Sequence, residues 1–307
     1  MLDSQAIPLR LVLNSNCNGH CHYCHREGVS TDSRMPTSIV QQCAYTAKEL
    51  SLPITLTGGE PSLREDLSTI INGIFHIDPT LKINLTSNGY NLASFNDLIQ
   101  PIDTLNLSIT SFQRNVAQQY QNVPPDNALH ALHLFPAHNK NLNVVVGKDN
   151  FAEIDNIIEY CIKSNFGLDI MFELKRYTKQ ELQIQRLLFA KLEKNGNMTI
   201  DLKLSPTIQI VVNERCRIRV KHPWLSSLPQ IGICSKCEIK KNCFERICAI
   251  RVFPNGQVSP CLAQEIESDK ATLDERIKDL HSRIASDISL LSFMAIPSAH
   301  CELLDLI

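Results

Sequence analysis

The sequence predicts an α/β fold, a partial (β/α)6 barrel followed by a C-terminal cysteine-rich region. Up to about residue 175, short apolar, β-branched runs alternate with helix-length amphipathic stretches, the pattern of repeated βα units around a parallel sheet. The most distinctive loops follow the first three of those runs, and strand C-terminal ends are where parallel barrels carry their reactive groups. A second concentration of cysteines beyond residue 233 sets the C-terminal region apart.

Six runs read as strands: residues 9–13, 53–57, 82–86, 104–109, 143–147 and 168–174. Helices are expected between them at 37–50, 64–75, 92–100, 127–138 and 151–164, the last with Asn150 as its N-cap. After Tyr177 a polar helical stretch, 180–195, precedes β-like runs at 207–212 and 216–220, and the final stretch of the chain again reads as helical. The expected organisation is a barrel core over 1–178, a helix-and-strand connector over 179–232 and a cysteine-rich region over 233–307.

With 307 residues, 43% of them hydrophobic, the chain can bury a core without a staple. Its 30 Lys and Arg balance 32 Asp and Glu, and aromatics make up 6%, so neither nucleic acid nor an anionic membrane is an expected partner. No apolar run approaches the roughly 20 residues of a membrane span. The opening segment carries Asp3 and no long apolar stretch, so neither a signal peptide nor a transmembrane helix is expected. Twelve cysteines in such a chain point to thiolate ligands in a reducing cytoplasm rather than to disulfides.

Cys17, Cys21 and Cys24, spaced x3 and x2, supply three thiolates, enough for three corners of a cubane cluster whose fourth iron then lacks a protein ligand. On these residues alone a zinc site completed by His20, His22 or His25 stays open. Cys43 and Cys161 lie among apolar neighbours and read as small buried hydrophobes. Cys216 and Cys301 read as inert thiols, with spare ligands of the C-terminal cysteine group as the alternative.

The CxxxCxxC loop, with Tyr23 before its third cysteine, resembles that of the radical S-adenosylmethionine (radical SAM) enzymes. The resemblance implies a [4Fe-4S] cluster held by Cys17, Cys21 and Cys24, its open iron chelated by S-adenosylmethionine, and an external reductant such as flavodoxin or ferredoxin. Thr57-Gly58-Gly59-Glu60-Pro61 matches the family's GGEP-type motif, which holds the methionine ammonium. Glycines suit a loop whose backbone must approach closely, and Glu60 would make a charge-assisted bond to the ammonium. Ser87-Asn88-Gly89 and Ser108 resemble the family's third- and fourth-strand segments, implied to contact cofactor or substrate.

Residues 9–11, 17–18, 23–24, 27–28 and 56–67, with 144–146 and Asn150 ahead of 172–174, look like the molybdenum-cofactor GTP cyclase (MoaA) group and its SPASM/twitch relatives. In the C-terminal region, Cys234, Cys237, Cys243, Cys248 and Cys261 are five candidate thiolates, and on spacing alone a zinc ribbon is the alternative. Residues 248–261 resemble the hairpin that carries the auxiliary cluster in that group, and Asn255-Gly256 reads independently as its turn. The resemblance implies an auxiliary [4Fe-4S] cluster on Cys248 and Cys261, with further ligands from Cys234, Cys237 and Cys243; their number stays open. The spacing is one residue shorter than the cyclase pattern, and its Gly-Gly tail is absent from 300–307, which argues against the cyclase reaction itself.

Arg215, Arg217, Arg219 and Lys221 alternate with Cys216, Ile218 and Val220, which puts the cations on one strand face. That face is either solvated or an anion site, since Arg grips phosphates and carboxylates bidentately. Arg251 matches an arginine near the nucleotide in the MoaA group. The expected function is radical SAM chemistry on a nucleotide-like or other anionic small molecule. A maturase of a ribosomally made peptide is the alternative within that chemistry, and a non-catalytic zinc scaffold the one outside it.

Overall fold

A computed structural model describes residues 7–25, 33–95, 97–172, 179–196, 198–201, 207–221, 230, 232–238, 240, 243, 245–262, 270 and 272–292. Strands β1 (Leu9–Val12), β2 (Ile54–Thr57), β3 (Ile83–Ser87), β4 (Ile102–Ser108), β5 (Ala137–Val146) and β6 (Gly167–Phe172) lie side by side in chain order, all parallel. They are the six expected strands; residues 173 and 174, expected in the last, lie outside the described residues. Helix α1 (Thr37–Leu50) follows β1, and α2 (Leu67–Ile77) follows β2. Helices α3 (Arg114–Gln121) and α4 (Pro125–Leu134) follow β4, α5 (Ile154–Ser164) follows β5, and α6 (Lys179–Leu192) follows β6.

Several boundaries differ from expectation for identifiable reasons. The helix expected at 92–100 is a single 3-10 turn, Leu92–Ser94, because Asn72 of α2 accepts the Ile99 N–H and donates to the Asp97 carbonyl. The helix expected to reach residue 138 ends at Leu134, since Pro136 forces Phe135 into extended backbone. The following polar residues then join β5, paired with β4 from Ala137 onward. Asn150 caps nothing; it is 2% exposed, accepts from Gly147 N–H and donates to the carbonyls of Thr110 and Val145, tying two loops together. Helix α3 and strand β7 (Met198–Asp201) were not expected.

The sheet continues beyond both edges of this core. On the β6 side, β9 (Arg217–Lys221) adds in parallel, then β8 (Thr207–Val211) and β7 antiparallel. On the β1 side, β10 (Ile250–Val252) adds in parallel and β11 (Val258–Ser259) closes the hairpin over the Asn255-Gly256 turn. The C-terminal helix α8 (Leu273–Ser292) lies against α1, where Thr46 Oγ1 donates to Asp274 at 2.8 Å and Lys278 pairs with Glu49 at 2.7 Å. Ahead of β10, the four-residue helix α7 (Gly232–Ser235) carries Cys234.

Side chains alternate strictly along the inner strands. Leu85, Leu105, Leu107, Leu142, Val144 and Ile170 are at most 1% exposed and join the helices in one core. Their neighbours on the other face are polar and half-buried: Asn84, Thr86, Thr104, Asn106, Asn141 and Asn143. A parallel sheet covered on both faces would read as continuous apolar runs, so this sheet has one apolar face under helices and one polar face.

That polar face is concave. Lys221 of β9 and Arg251 of β10 both meet Glu245, at 3.1 and 3.7 Å. Seven inter-strand steps separate β9 from β10 along the sheet, about 34 Å if it were flat. One carboxylate reaching both flanks requires the sheet to curl until β9 and β10 face each other, which is the geometry of an incomplete barrel.

Candidate functional site

The loop that leaves β1 is pinned at both ends. Leu13 N–H donates to Thr57 at 2.7 Å and Met35 N–H to Leu13 at 2.8 Å. Arg64, 3% exposed, donates from one nitrogen to the carbonyls of Leu13 and Met35 (2.9 and 2.8 Å) and from two others to Asp66. Between these anchors Cys17 and Cys24 are exposed and Cys21 half-buried. A turn from Cys24 N–H to Cys21 O brings the second and third thiols together, and Gly19 N–H donates to Cys17 Sγ at 3.3 Å. Burial, with the neighbouring thiols adding to it, pushes Cys21 up to about 11. Tyr23 shares a hydrogen bond with Cys21, and burial raises its hydroxyl well above the ordinary value.

The loop after β2 packs onto this one. Gly59 N–H donates to Asn14 O and Glu60 N–H to Asn16 O, both at 2.7 Å. A Cβ on Gly58 would stand 2.5 Å from Asn14 Oδ1, and one on Gly59 would stand 2.2 Å from Asn16 O. The close approach that demands glycine here is therefore to the backbone of the cysteine loop. Pro61 opens a 3-10 turn, Pro61–Leu63.

Glu60 is 1% exposed and organises the loop after β3. One oxygen accepts from Ser62 N–H (2.9 Å) and Ser87 Oγ (2.6 Å), the other from Asn88 N–H (2.7 Å). Burial raises its pKa, opposed by those donors. Three donors leave room for one more among a carboxylate's roughly four acceptor positions. Asn88 Nδ2 in turn reaches Asn18 Oδ1 at 2.9 Å and Cys17 Sγ at 4.0 Å. Three loops from successive strands thus meet around the exposed thiols, and Ser108 ends the next strand on the polar face.

Three thiols on one loop, two exposed and one half-buried, suit the three protein ligands of a cubane cluster. Two of the neighbouring histidines have other contacts: His20 Nδ1 faces Asn122 Nδ2 at 3.4 Å, and His22 packs edge-on against Tyr23 and Tyr120.

In the C-terminal region successive turns carry Cys234, Cys237 and Cys243: Cys237 N–H donates to Cys234 O, Lys240 N–H to Cys237 O and Cys243 N–H to Lys240 O. Burial pushes Cys234 up to about 11, and the thiols of Cys243 and Cys261 add to the rise. Cys248 and Cys261 flank the β10–β11 hairpin. Cys248 Sγ lies 3.5 Å from Glu245 Oε1 and 3.6 Å from Arg251 Nη2. Cys43, Cys161 and Cys216 are fully buried, as expected of inert thiols, and Cys301 lies outside the described residues.

The cations of β9 divide. Arg217 and Arg219 are exposed, and Arg219 grips Asp169 of β6 with two contacts of 2.5 Å. Lys221, at the interior end, pairs with Glu245. Arg251 is 2% exposed on the polar face, beside Arg10 in register. Burial alone would raise Glu245, but Lys221 and Arg251 together hold it below the ordinary carboxylate value, with His25 of the cysteine loop adding to the field. Sequence reasoning misses Arg64 and Glu245; the one signal for Glu245 is an acid set between Cys243 and Cys248.

A curled parallel sheet whose first three loops gather three thiols, two glycines and a buried acid at one mouth defines an S-adenosylmethionine-dependent iron–sulfur enzyme. Residues 11–161 match the Radical SAM superfamily, and the chain belongs to it. It is 25% identical over 276 residues to a probable GTP 3',8-cyclase of Methanococcus aeolicus, covering 84% of this chain and 85% of that one. The GTP 3',8-cyclase of Tolumonas auensis is 34% identical over 130 residues, 39% of this chain and 37% of its own; other cyclase relatives are matched over about half their length. SuiB of Streptococcus suis, solved with S-adenosylmethionine, shares the fold at 15% identity and a TM-score of 0.61, over 95% of this chain and 70% of its own. Bound to its precursor peptide SuiA, it aligns with a TM-score of 0.60 at 14% identity, over 88% and 64%. The chain is a radical SAM enzyme, and no helix among the described residues is long and apolar enough to cross a membrane.

Proposed function

We propose that this enzyme reductively cleaves S-adenosylmethionine and abstracts a hydrogen atom from a nucleotide-like or other anionic small molecule, in cofactor or natural-product biosynthesis. The observation that carries the substrate class is the polar concave face, where Arg10, Lys221 and Arg251 lie in or beside the barrel interior. Bound to Cys17, Cys21 and Cys24, a reduced [4Fe-4S] cluster would supply the electron that splits the sulfonium into methionine and a deoxyadenosyl radical. The chain's own residues do the rest. Gly58, Gly59 and Pro61 shape the loop against the cysteine loop, Glu60 holds Ser87 and Asn88 in place and keeps one acceptor position for an ammonium, and Ser108 lines the floor. Tyr23 shields the thiol of Cys21.

An auxiliary [4Fe-4S] cluster on Cys248 and Cys261, with ligands from Cys234, Cys237 and Cys243, belongs to the same reading, supported by the hairpin and by the mutual influence of Cys234, Cys243 and Cys261. Clusters on exposed thiols call for a reducing cytoplasm and a reductant such as flavodoxin or ferredoxin. The second reading, maturation of a ribosomally made peptide, is supported by the fold shared with SuiB and its peptide.

The reconstituted protein, assayed anaerobically with dithionite and S-adenosylmethionine, should release deoxyadenosine by chromatography, and a C17A/C21A/C24A variant should release none. Equal yields from the two proteins would refute the assignment.

A further inference from the structure

Three cations of the polar face, Arg219, Lys221 and Arg251, are matched to acids. Asp169 and Arg219 are register partners on β6 and β9, and the acid holds the guanidinium through both oxygens. Two residues further along β9, toward the mouth, Lys221 stands opposite Met171 and turns to Glu245. Arg251 reaches the same carboxylate from the opposite flank. The side chains of Lys221, Glu245 and Arg251 are 15%, 23% and 3% exposed, so these charges act on one another with little screening by water.

Two cations facing each other across a half-dry barrel would otherwise form a trap for a polyanion, since each phosphate of a chain could take one of them. Glu245 sits between them. A polyphosphate entering there would bring several negative charges beside a carboxylate at ion-pair distance, whereas a single anion can share the cations with it. We propose that Glu245 is a specificity-determining residue: by holding Lys221 and Arg251 from opposite flanks of the barrel, it sets the interior to accept a ligand with one anionic group and to exclude polyphosphates. The proposal rests on the reading that an anionic small molecule is the substrate, and it narrows that class to ligands with a single anionic group. The remainder of the concave face suits the uncharged body of such a ligand. Asn141 donates to Asn106 at 3.0 Å and lies over Gly167, where a Cβ would come within 1.9 Å of its oxygen; Asn143 Oδ1 is buried with no hydrogen-bond partner among the described residues.

The test titrates the full chain, anaerobically reconstituted, with orthophosphate and with tripolyphosphate at low salt, in wild type, E245Q and E245A. E245A removes the same charge with a shorter side chain, so it decides the matter if E245Q does not fold. Either variant should bind tripolyphosphate about tenfold or more tighter than wild type, with orthophosphate affinity changed less than about threefold. The gain should shrink as salt is raised. A smaller gain for tripolyphosphate in every folded variant, or an equal gain for both anions, would overturn the proposal. Deoxyadenosine release by the wild type is read separately: its absence would sink the reaction and leave the phosphate titrations to judge Glu245.

Discussion

At the scale of single residues, the buried polar groups of this site are chiefly clamps. Arg64 saturates two carbonyls at opposite ends of the cysteine loop and is held in turn by Asp66, which also meets Arg34 at 2.8 Å. Arg64 first, then Arg34, depress the Asp66 carboxyl from 3.8 to about 2. A depressed acid contributes stability that is complete above its unfolded value and lost as pH falls through its folded one. D66N should therefore destabilise the protein by on the order of 2 kcal/mol at neutral pH. The gap from wild type should narrow below about pH 4 and close near pH 2 in denaturant melts, and a gap independent of pH would exclude this mechanism. Gly58 and Gly59 illustrate what a motif does and does not say. The pair is visible in sequence, but the structure shows that the atoms demanding it are Asn14 and Asn16 of the neighbouring loop.

At the scale of elements, legibility followed how far each element's pattern is its own. β3, β4 and β6 alternate apolar and polar residues, and their positions were readable to within two residues where described. The first half of β5 is polar and its opening residues read as helix; it is a strand because β4 offers it hydrogen bonds from Ala137 on. Helix α3, Arg-Asn-Val-Ala-Gln-Gln-Tyr-Gln, buries only Ala117, Tyr120 and Gln121, too thin a stripe for periodicity to show. The helix-like run at 92–100 lost its amide to the Asn72 side chain. The C-terminal helix makes an equally specific contact. Asp287 of α8, 7% exposed, accepts from Ile233 N–H at 3.0 Å and so fixes the short turn that bears Cys234. D287A should lower the iron bound per reconstituted chain by up to about half, by loss of the auxiliary cluster, while deoxyadenosine release persists. Undiminished iron would show that Cys234 needs no such support.

At the scale of the whole molecule, one sheet joins all three segments that the sequence distinguishes, because β7, β8 and β9 extend it past β6 and the β10–β11 hairpin extends it past β1. The hairpin covers an edge that would otherwise present unpaired N–H and C=O groups. A chain truncated after residue 221 should consequently elute from size exclusion as aggregate, whereas a monodisperse product would show the hairpin dispensable to the barrel. The sequence by itself determined the chemistry: three thiols in order, a glycine–acid loop, parallel strands and the loops that follow them, all short-range features written in spacing and periodicity. Only the tertiary structure decided how charge is arranged inside. Lys221 and Arg251 lie on strands seven steps apart in the sheet and meet Glu245 because the sheet curls. That curl is the summed twist of many strands, a quantity that no local pattern of residues records.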